Sequence, residues 1–150
     1  MLLFVALSEG VGALSGLLSR QGMEIYKTAV RKPPLSPPAA VFPIAWTVLY
    51  ALMGIGAARV SLTPPSPARE RGLRLFAGQL AFNFFWSLLF FNRQAFGFAF
   101  FWLVILWALI GAMTLTFAET DRTAAVMQVP YLLWVLFAGY LNFGVWMLNG

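Results

Sequence analysis

Apolar runs of about 17–24 residues recur five times along the chain, each long enough to cross the hydrocarbon core of a bilayer as a helix. They cover residues 2–19, 41–62, 75–91, 96–117 and 124–147, and nearly all the charge lies in the stretches between them. Lipid offers no partner for backbone N–H and C=O groups, so a segment that crosses it must satisfy them internally, as a helix does. The expectation is an all-α integral membrane protein, a five-transmembrane-helix bundle forming one domain over residues 1–150, with residues 20–40 as its longest loop. Composition agrees: 61% of residues are hydrophobic and 10% charged, against about 25% charged in a soluble domain. Mean hydropathy is +0.80. The expected location is multi-pass in a membrane, with a bacterial cell membrane as the expected host.

The connecting stretches read as follows. Pro33, Pro34, Pro37 and Pro38 follow Arg31 and Lys32 and forbid regular helix there, favouring an extended, stiff segment. Residues 63–74, with Pro64, Pro65 and Pro67, read as a loop with one turn of helix near 68–72. Asn92, Arg93 and Gln94 read as a tight turn, and Pro130 as a kink inside the last span. The formal charge of +5 comes largely from basic residues at segment ends, where they anchor helices to headgroups; the expected partner is the lipid bilayer and no nucleic acid. One side collects Arg20, Lys27, Arg31, Lys32 and Arg93, the other Arg69, Arg71, Arg74 and Arg122, and this near-balance sets no orientation.

The chain has no cysteine and no histidine. Thiolate zinc, iron–sulfur clusters, disulfides and cysteine nucleophiles are excluded, as are imidazole bases and ligands. No metal site and no required cofactor are expected. No HExxH or GxSxG motif and no paired acids at helical spacing occur, so no firm catalytic residue emerges.

Polar and aromatic residues do gather at helical spacing on three spans. Trp46, Tyr50 and Gly54 share a face of the second; Gln79, Asn83, Trp86 and Phe90 share a face of the third. Tyr131, Trp134, Ala138, Leu141, Asn142 and Val145 form a stripe on the fifth. Polar side chains within a membrane normally face the bundle interior. Together the three stripes enclose a pocket with flat aromatic walls, suited to a large, planar, mainly apolar ligand whose polar edge meets Trp, Tyr and Asn. Aromatic stripes in membrane bundles are more often packing or interfacial girdles than ligand cages, and Asn83 and Asn142 read also as interhelical hydrogen-bond partners. Glu9 reads either as a proton- or cation-sensitive site within the bilayer or, slightly favoured, as a residue close enough to the chain start to reach water or headgroups. Gly12 and Gly16 form a GxxxG face, or simply reflect abundant glycine. Trp102, Trp107 and Trp146 are expected as lipid-facing or interfacial anchors.

The string from Lys32 to Pro38 followed by Val41-Phe42-Pro43-Ile44-Ala45-Trp46-Thr47-Val48-Leu49-Tyr50 resembles the first loop and second helix of the TspO/MBR family. These are the tryptophan-rich sensory proteins, related to the translocator protein or peripheral-type benzodiazepine receptor. Asn83-Phe84-Phe85-Trp86 and Pro130-Tyr131-Leu132-Leu133-Trp134 agree too, in order and over essentially the whole chain. The resemblance implies a five-helix bundle, usually a homodimer, with a cavity below the first loop that binds porphyrins such as protoporphyrin IX and benzodiazepine-type ligands. By position, Trp46, Asn83, Trp86, Trp134, Ala138 and Leu141 match pocket residues of the family; Tyr26 and the loop prolines Pro33, Pro34, Pro37 and Pro38 match its lid. With the stripes, the candidate ligand-binding set becomes Trp46, Tyr50, Asn83, Trp86, Phe90, Trp134, Ala138, Leu141 and Asn142. The chain departs from the family at Leu35, where tryptophan is usual, and lacks a basic residue after Tyr140, which weighs against sterol recognition there. Three functions compete: a tetrapyrrole-binding sensor or receptor, a light-dependent porphyrin-degrading enzyme using Trp46 and Trp134, and a tetrapyrrole or small-molecule transporter. The absence of an internal repeat counts against the last.

Overall fold

The computed structural model describes residues 2–38 and 40–149. Residues 1 and 150 of the expected domain and Ala39 of the expected loop lie outside that description. The elements are α1 (Leu2–Leu18), α2 (Arg20–Thr28), α3 (Val41–Ser61), α4 (Pro67–Ser87) continuing into a π-helical turn (Leu88–Asn92), α5 (Phe96–Thr120), α6 (Arg122–Val126) and α7 (Val129–Asn149). Among the described residues there is no strand. Four segments, Val41–Ser61, Pro67–Asn92, Phe96–Thr120 and Arg122–Asn149, are long and apolar enough to cross a membrane; α1 and α2, bent by 61°, make a fifth if counted as one span. The chain is thus an all-α, multi-pass membrane bundle.

Three boundaries differ from expectation. The expected loop 20–40 begins with nine helical residues, α2, because the prolines that forbid helix start only at Pro33. Gly22 and Tyr26, one turn apart, form the buried face of α2. A Cβ at Gly22 would collide with the backbone of Phe91, so glycine allows α2 to lie directly on the π turn. The third span starts at Pro67 rather than residue 75. Ser66 caps it, accepting a hydrogen bond from the Arg69 N–H at 3.1 Å, and Pro67 occupies the first turn, where a missing N–H costs nothing. The last span is not one kinked helix: it is broken at Met127–Gln128, and Pro130 sits in the first turn of α7.

Two regions follow from the packing. Toward α6 the core is solid, with Met53, Ala57, Val60, Ile110, Met113 and Phe117 fully buried. Here Arg59 at the end of α3 grips Asp121, its Nε donating to Oδ2 at 2.9 Å and its Nη2 to Oδ1 at 3.4 Å. Asp121 also caps α6, accepting from the N–H groups of Thr123 and Ala124. Partial burial opposes ionisation of Asp121, but the hydrogen bonds and charge of Arg59 and the two backbone donors outweigh it and hold the carboxyl below its usual range. Toward α2 the helices part around an internal space. The approach of α1 to α3 is set at Gly54, where a Cβ would stand 2.5 Å from Val5 Cα and 2.8 Å from Phe4 O.

Candidate functional site

The space between the helices is a cavity of about 400 Å³ bounded by α1, α2, α3, α4, the π turn and α7. All nine candidate ligand-binding residues line it: Trp46 and Tyr50 from α3, Asn83 and Trp86 from α4, Phe90 from the π turn, and Trp134, Ala138, Leu141 and Asn142 from α7. The π turn matters locally. The Arg93 N–H donates to Leu88 O at 3.0 Å, a span of five residues, and the widened turn lets both Phe90 and Phe91 reach the cavity.

Its walls are largely aromatic. Trp46 meets Trp134 edge-on at 6.3 Å and 88°, Trp46 lies 5.6 Å from Tyr50, and Trp86 stacks on Phe90 at 5.1 Å. Tyr26 contacts Phe42, Phe90 and Phe91, closing the α2 end, and the Lys32 ammonium stands 4.8 Å over the Tyr26 ring.

The polar groups do not simply await a ligand, as the sequence suggested. The Tyr50 hydroxyl donates to Asn83 Oδ1 at 2.9 Å, Asn83 Nδ2 donates to the Tyr131 hydroxyl at 2.6 Å, and that hydroxyl donates to Gln79 Oε1 at 2.7 Å. Gln79 Nε2 ends the chain on Met53 Sδ at 3.6 Å. Separately, Trp86 Nε1 donates to Asn142 Oδ1 at 3.0 Å and Asn142 Nδ2 to Phe96 O at 2.8 Å. Buried polar groups carry a large penalty when unpaired, so these side chains satisfy one another; Tyr50, Asn83, Trp86 and Asn142 face the cavity, and Tyr131, Gln79 and Met53 back the first two as its floor. The interhelical reading of Asn83 and Asn142 therefore holds alongside their position in the cavity.

Of the lid candidates, Tyr26 lines the cavity, whereas Pro33, Pro34, Pro37 and Pro38 do not. Pro33 is buried against Gly144 of α7, and Pro34 O accepts the Tyr140 hydroxyl at 2.6 Å. The loop is further tied by Asn149, whose Oδ1 accepts from the Arg31 N–H at 3.1 Å and whose Nδ2 donates to Arg31 O at 2.8 Å. The prolines thus brace the segment that follows α2, and α2 itself covers the opening.

The first helix was missed as a wall. Glu9, Gly12, Ala13, Ser15 and Gly16 of α1 all line the cavity. Ser8, Gly12, Ser15 and Ser19 recur at helical spacing, a stripe of small, weakly polar residues that could have signalled this face. Gly12 lies against the Tyr50 ring. Glu9 falls near the middle of α1 and is half-buried there. Met23, Phe42, Pro43, Thr47, Ser87 and Phe91 complete the lining. Of the expected anchors, Trp107 is 42% exposed, but Trp102 packs inward, stacked on Phe82 at 4.3 Å with its Nε1 donating to Phe82 O at 2.8 Å. An indole N–H facing lipid would be unpaired; the α4 carbonyl removes that cost. Trp146 is half-buried against Gly97.

The sequence is similar to those of known proteins. The family model described as the TspO/MBR family matches residues 4–147. "Tryptophan-rich protein TspO" of Chlorobaculum tepidum is 36% identical over 148 residues, covering 98% of this chain and 94% of that protein. "Protein CrtK" of Rhodobacter capsulatus is 41% identical over 122 residues, 81% of this chain and 76% of that protein. The "Translocator protein" of Bos taurus is 33% identical over 144 residues, 91% of this chain and 85% of that protein. With a family model over residues 4–147 and relatives above 30% identity covering most of both chains, the chain belongs to the TspO/MBR family.

Proposed function

We propose that this protein is a membrane receptor or sensor that binds porphyrins, protoporphyrin IX among them, and benzodiazepine-type ligands in the intrahelical cavity. The observation that carries this reading is the convergence of four tryptophan and tyrosine rings, Trp46, Tyr50, Trp86 and Trp134, around a space of about 400 Å³, within the range of small-molecule sites. Flat rings on several walls suit a planar, apolar ligand by stacking and edge contacts. α2, with Tyr26 beneath Lys32, acts as the cover. The family relationship supports the same reading, and the homodimer expected of the family belongs to it; crosslinking in native membranes tests that part.

The test is a titration of detergent-solubilised protein with protoporphyrin IX in the dark, followed by tryptophan fluorescence, beside Trp134→Ala. Saturable quenching that weakens in the variant supports the site. Linear quenching identical in both would mean that the porphyrin only partitions into micelles.

A second reading, light-dependent degradation of bound porphyrin with dioxygen as oxidant, rests on the family resemblance together with the place of Trp46 and Trp134 in the cavity wall. It predicts loss of the Soret band and a new product in light, abolished by Trp46→Phe without loss of binding. Bleaching at the same rate in protein-free detergent would reject it.

A further inference from the structure

Glu9 is the only formally charged side chain among the described residues that line the cavity. It stands seven residues from Leu2 and nine from Leu18 in a helix of 17, so about 10 Å of helix separates it from the nearer end. An ionisable group at that depth is costly and calls for a partner. None of the ion pairs among the described residues includes Glu9. Its neighbours on the α1 wall offer nothing either: Gly12, Ala13 and Gly16 have no polar side chain, and the Ser15 hydroxyl donates to Gly12 O at 3.0 Å. On the facing walls the amide donors of Asn83 and Asn142 and the indole N–H of Trp86 are engaged with protein acceptors, and the buried indole N–H of Trp134 is the exception, with no acceptor among the described residues. The cavity therefore presents an aromatic box in which the buried Trp134 indole N–H on α7 and the Glu9 carboxylate on the α1 side stand without a protein partner among the described residues.

We infer that Glu9 sets the charge preference and orientation of the ligand: it accepts a cationic or N–H-donating edge of a planar apolar ring, and turns carboxylate-bearing edges away from α1. This rests on the proposal that the cavity binds porphyrins. A dicarboxylate such as protoporphyrin IX then enters with its acid arms directed from Glu9 toward the α2 end, where Lys32 stands over Tyr26. The same ring with amine-ended arms takes the reverse orientation, an ammonium against Glu9. A carboxylate and an ammonium in contact within a partly desolvated cavity attract far more strongly than in water.

The test compares three probes on the full-length protein in detergent: protoporphyrin IX, its neutral dimethyl ester, and the same ring with both arms ending in amines. Wild type should bind the diamine more tightly than the ester. Glu9→Gln should weaken the diamine about tenfold, equivalent to about 1.4 kcal/mol, while protoporphyrin IX binds as before or more tightly. The substitution keeps the side-chain shape and removes a charge from membrane depth, a change the bilayer favours. If Glu9→Gln shifts both probes by the same factor, or neither, the inference is overturned, and Trp134→Ala still reports on the cavity itself. Wild type binding the diamine no more tightly than the ester would overturn it without any variant. If none of the probes saturates wild type, the porphyrin reading falls and this inference with it.

Discussion

The two halves of the bundle are both apolar but are built from different side chains, mostly aliphatic at one end and largely aromatic at the other. Toward α6, Met53, Ile110, Met113 and Phe117 leave no accessible surface. Toward α2, Trp46, Trp86 and Trp134 hold the helices apart around the cavity. Flexible or β-branched aliphatic chains interdigitate and fill; large rigid rings that meet edge-on leave space between them. The boundary is the hydrogen-bonded series Tyr50–Asn83–Tyr131–Gln79–Met53, which crosses α3, α4 and α7 and seals the solid half from the open one. The difference teaches that the void is a held shape, with its rigidity supplied from the packed half and the polar floor.

The sharpest way to break this contrast is to make a hole on the solid side. Phe117→Ala should cost about 3–5 kcal/mol, as aromatic truncations in full cores do, read by unfolding in mixed micelles; a loss below about 1 kcal/mol would mean that this half is no better packed than the other. Next, Tyr131→Phe keeps the ring but leaves Asn83 and Gln79 each short of a partner, and should cost about 1–3 kcal/mol. Ligand affinity should fall with it, because Tyr50 and Asn83 lose their fixed positions; unchanged affinity would show that the floor does not shape the cavity.

Arg59→Ala tests the solid end at its surface. The pair is partly exposed, so its loss should cost only about 0.5 kcal/mol at neutral pH. Asp121 has its native pKa below the unfolded value, so its contribution is fully present above about pH 4 and disappears as pH falls through the lowered native value. The stability difference between wild type and Arg59→Ala should therefore vanish in acid; a difference that persists would place the effect in packing. The smallest effect is expected at the open end. Asn149→Ala removes both ties to Arg31 and should raise ligand association and dissociation rates together by up to about twofold, a change of about 0.4 kcal/mol or less. Stopped-flow quenching checks this; a change in affinity alone would argue against the loop as the cavity's fastening.

Much of this was legible in the sequence because lipid leaves the chain few choices. The second and fourth spans were readable nearly to their ends, since apolar length and terminal charge mark them directly. α4 began eight residues early because Arg69, Glu70, Arg71 and Arg74 look like a loop when hydropathy alone is read; the Ser66-Pro67 cap was the better signal. α2 was absorbed into the proline-rich loop because nine residues with Arg20, Glu24 and Lys27 carry no membrane signature, and only the Gly22–Tyr26 spacing betrays the docked face. In the cavity, bulky aromatic and amide residues announced themselves by periodicity. The α1 wall did not, since glycine, alanine and serine shape a space by being small, and pattern reading rewards size and polarity.

The π turn at Leu88–Asn92 makes chain length itself a determinant of the cavity. In a regular helix each residue advances about 100° around the axis, so removing one residue from this turn would restore ordinary winding and rotate everything after it. Phe90 and Phe91 could no longer both face inward, and α2 would lose the backbone surface on which Gly22 rests. A single-codon deletion here, with no change of chemistry, should empty one wall and unseat the cover together.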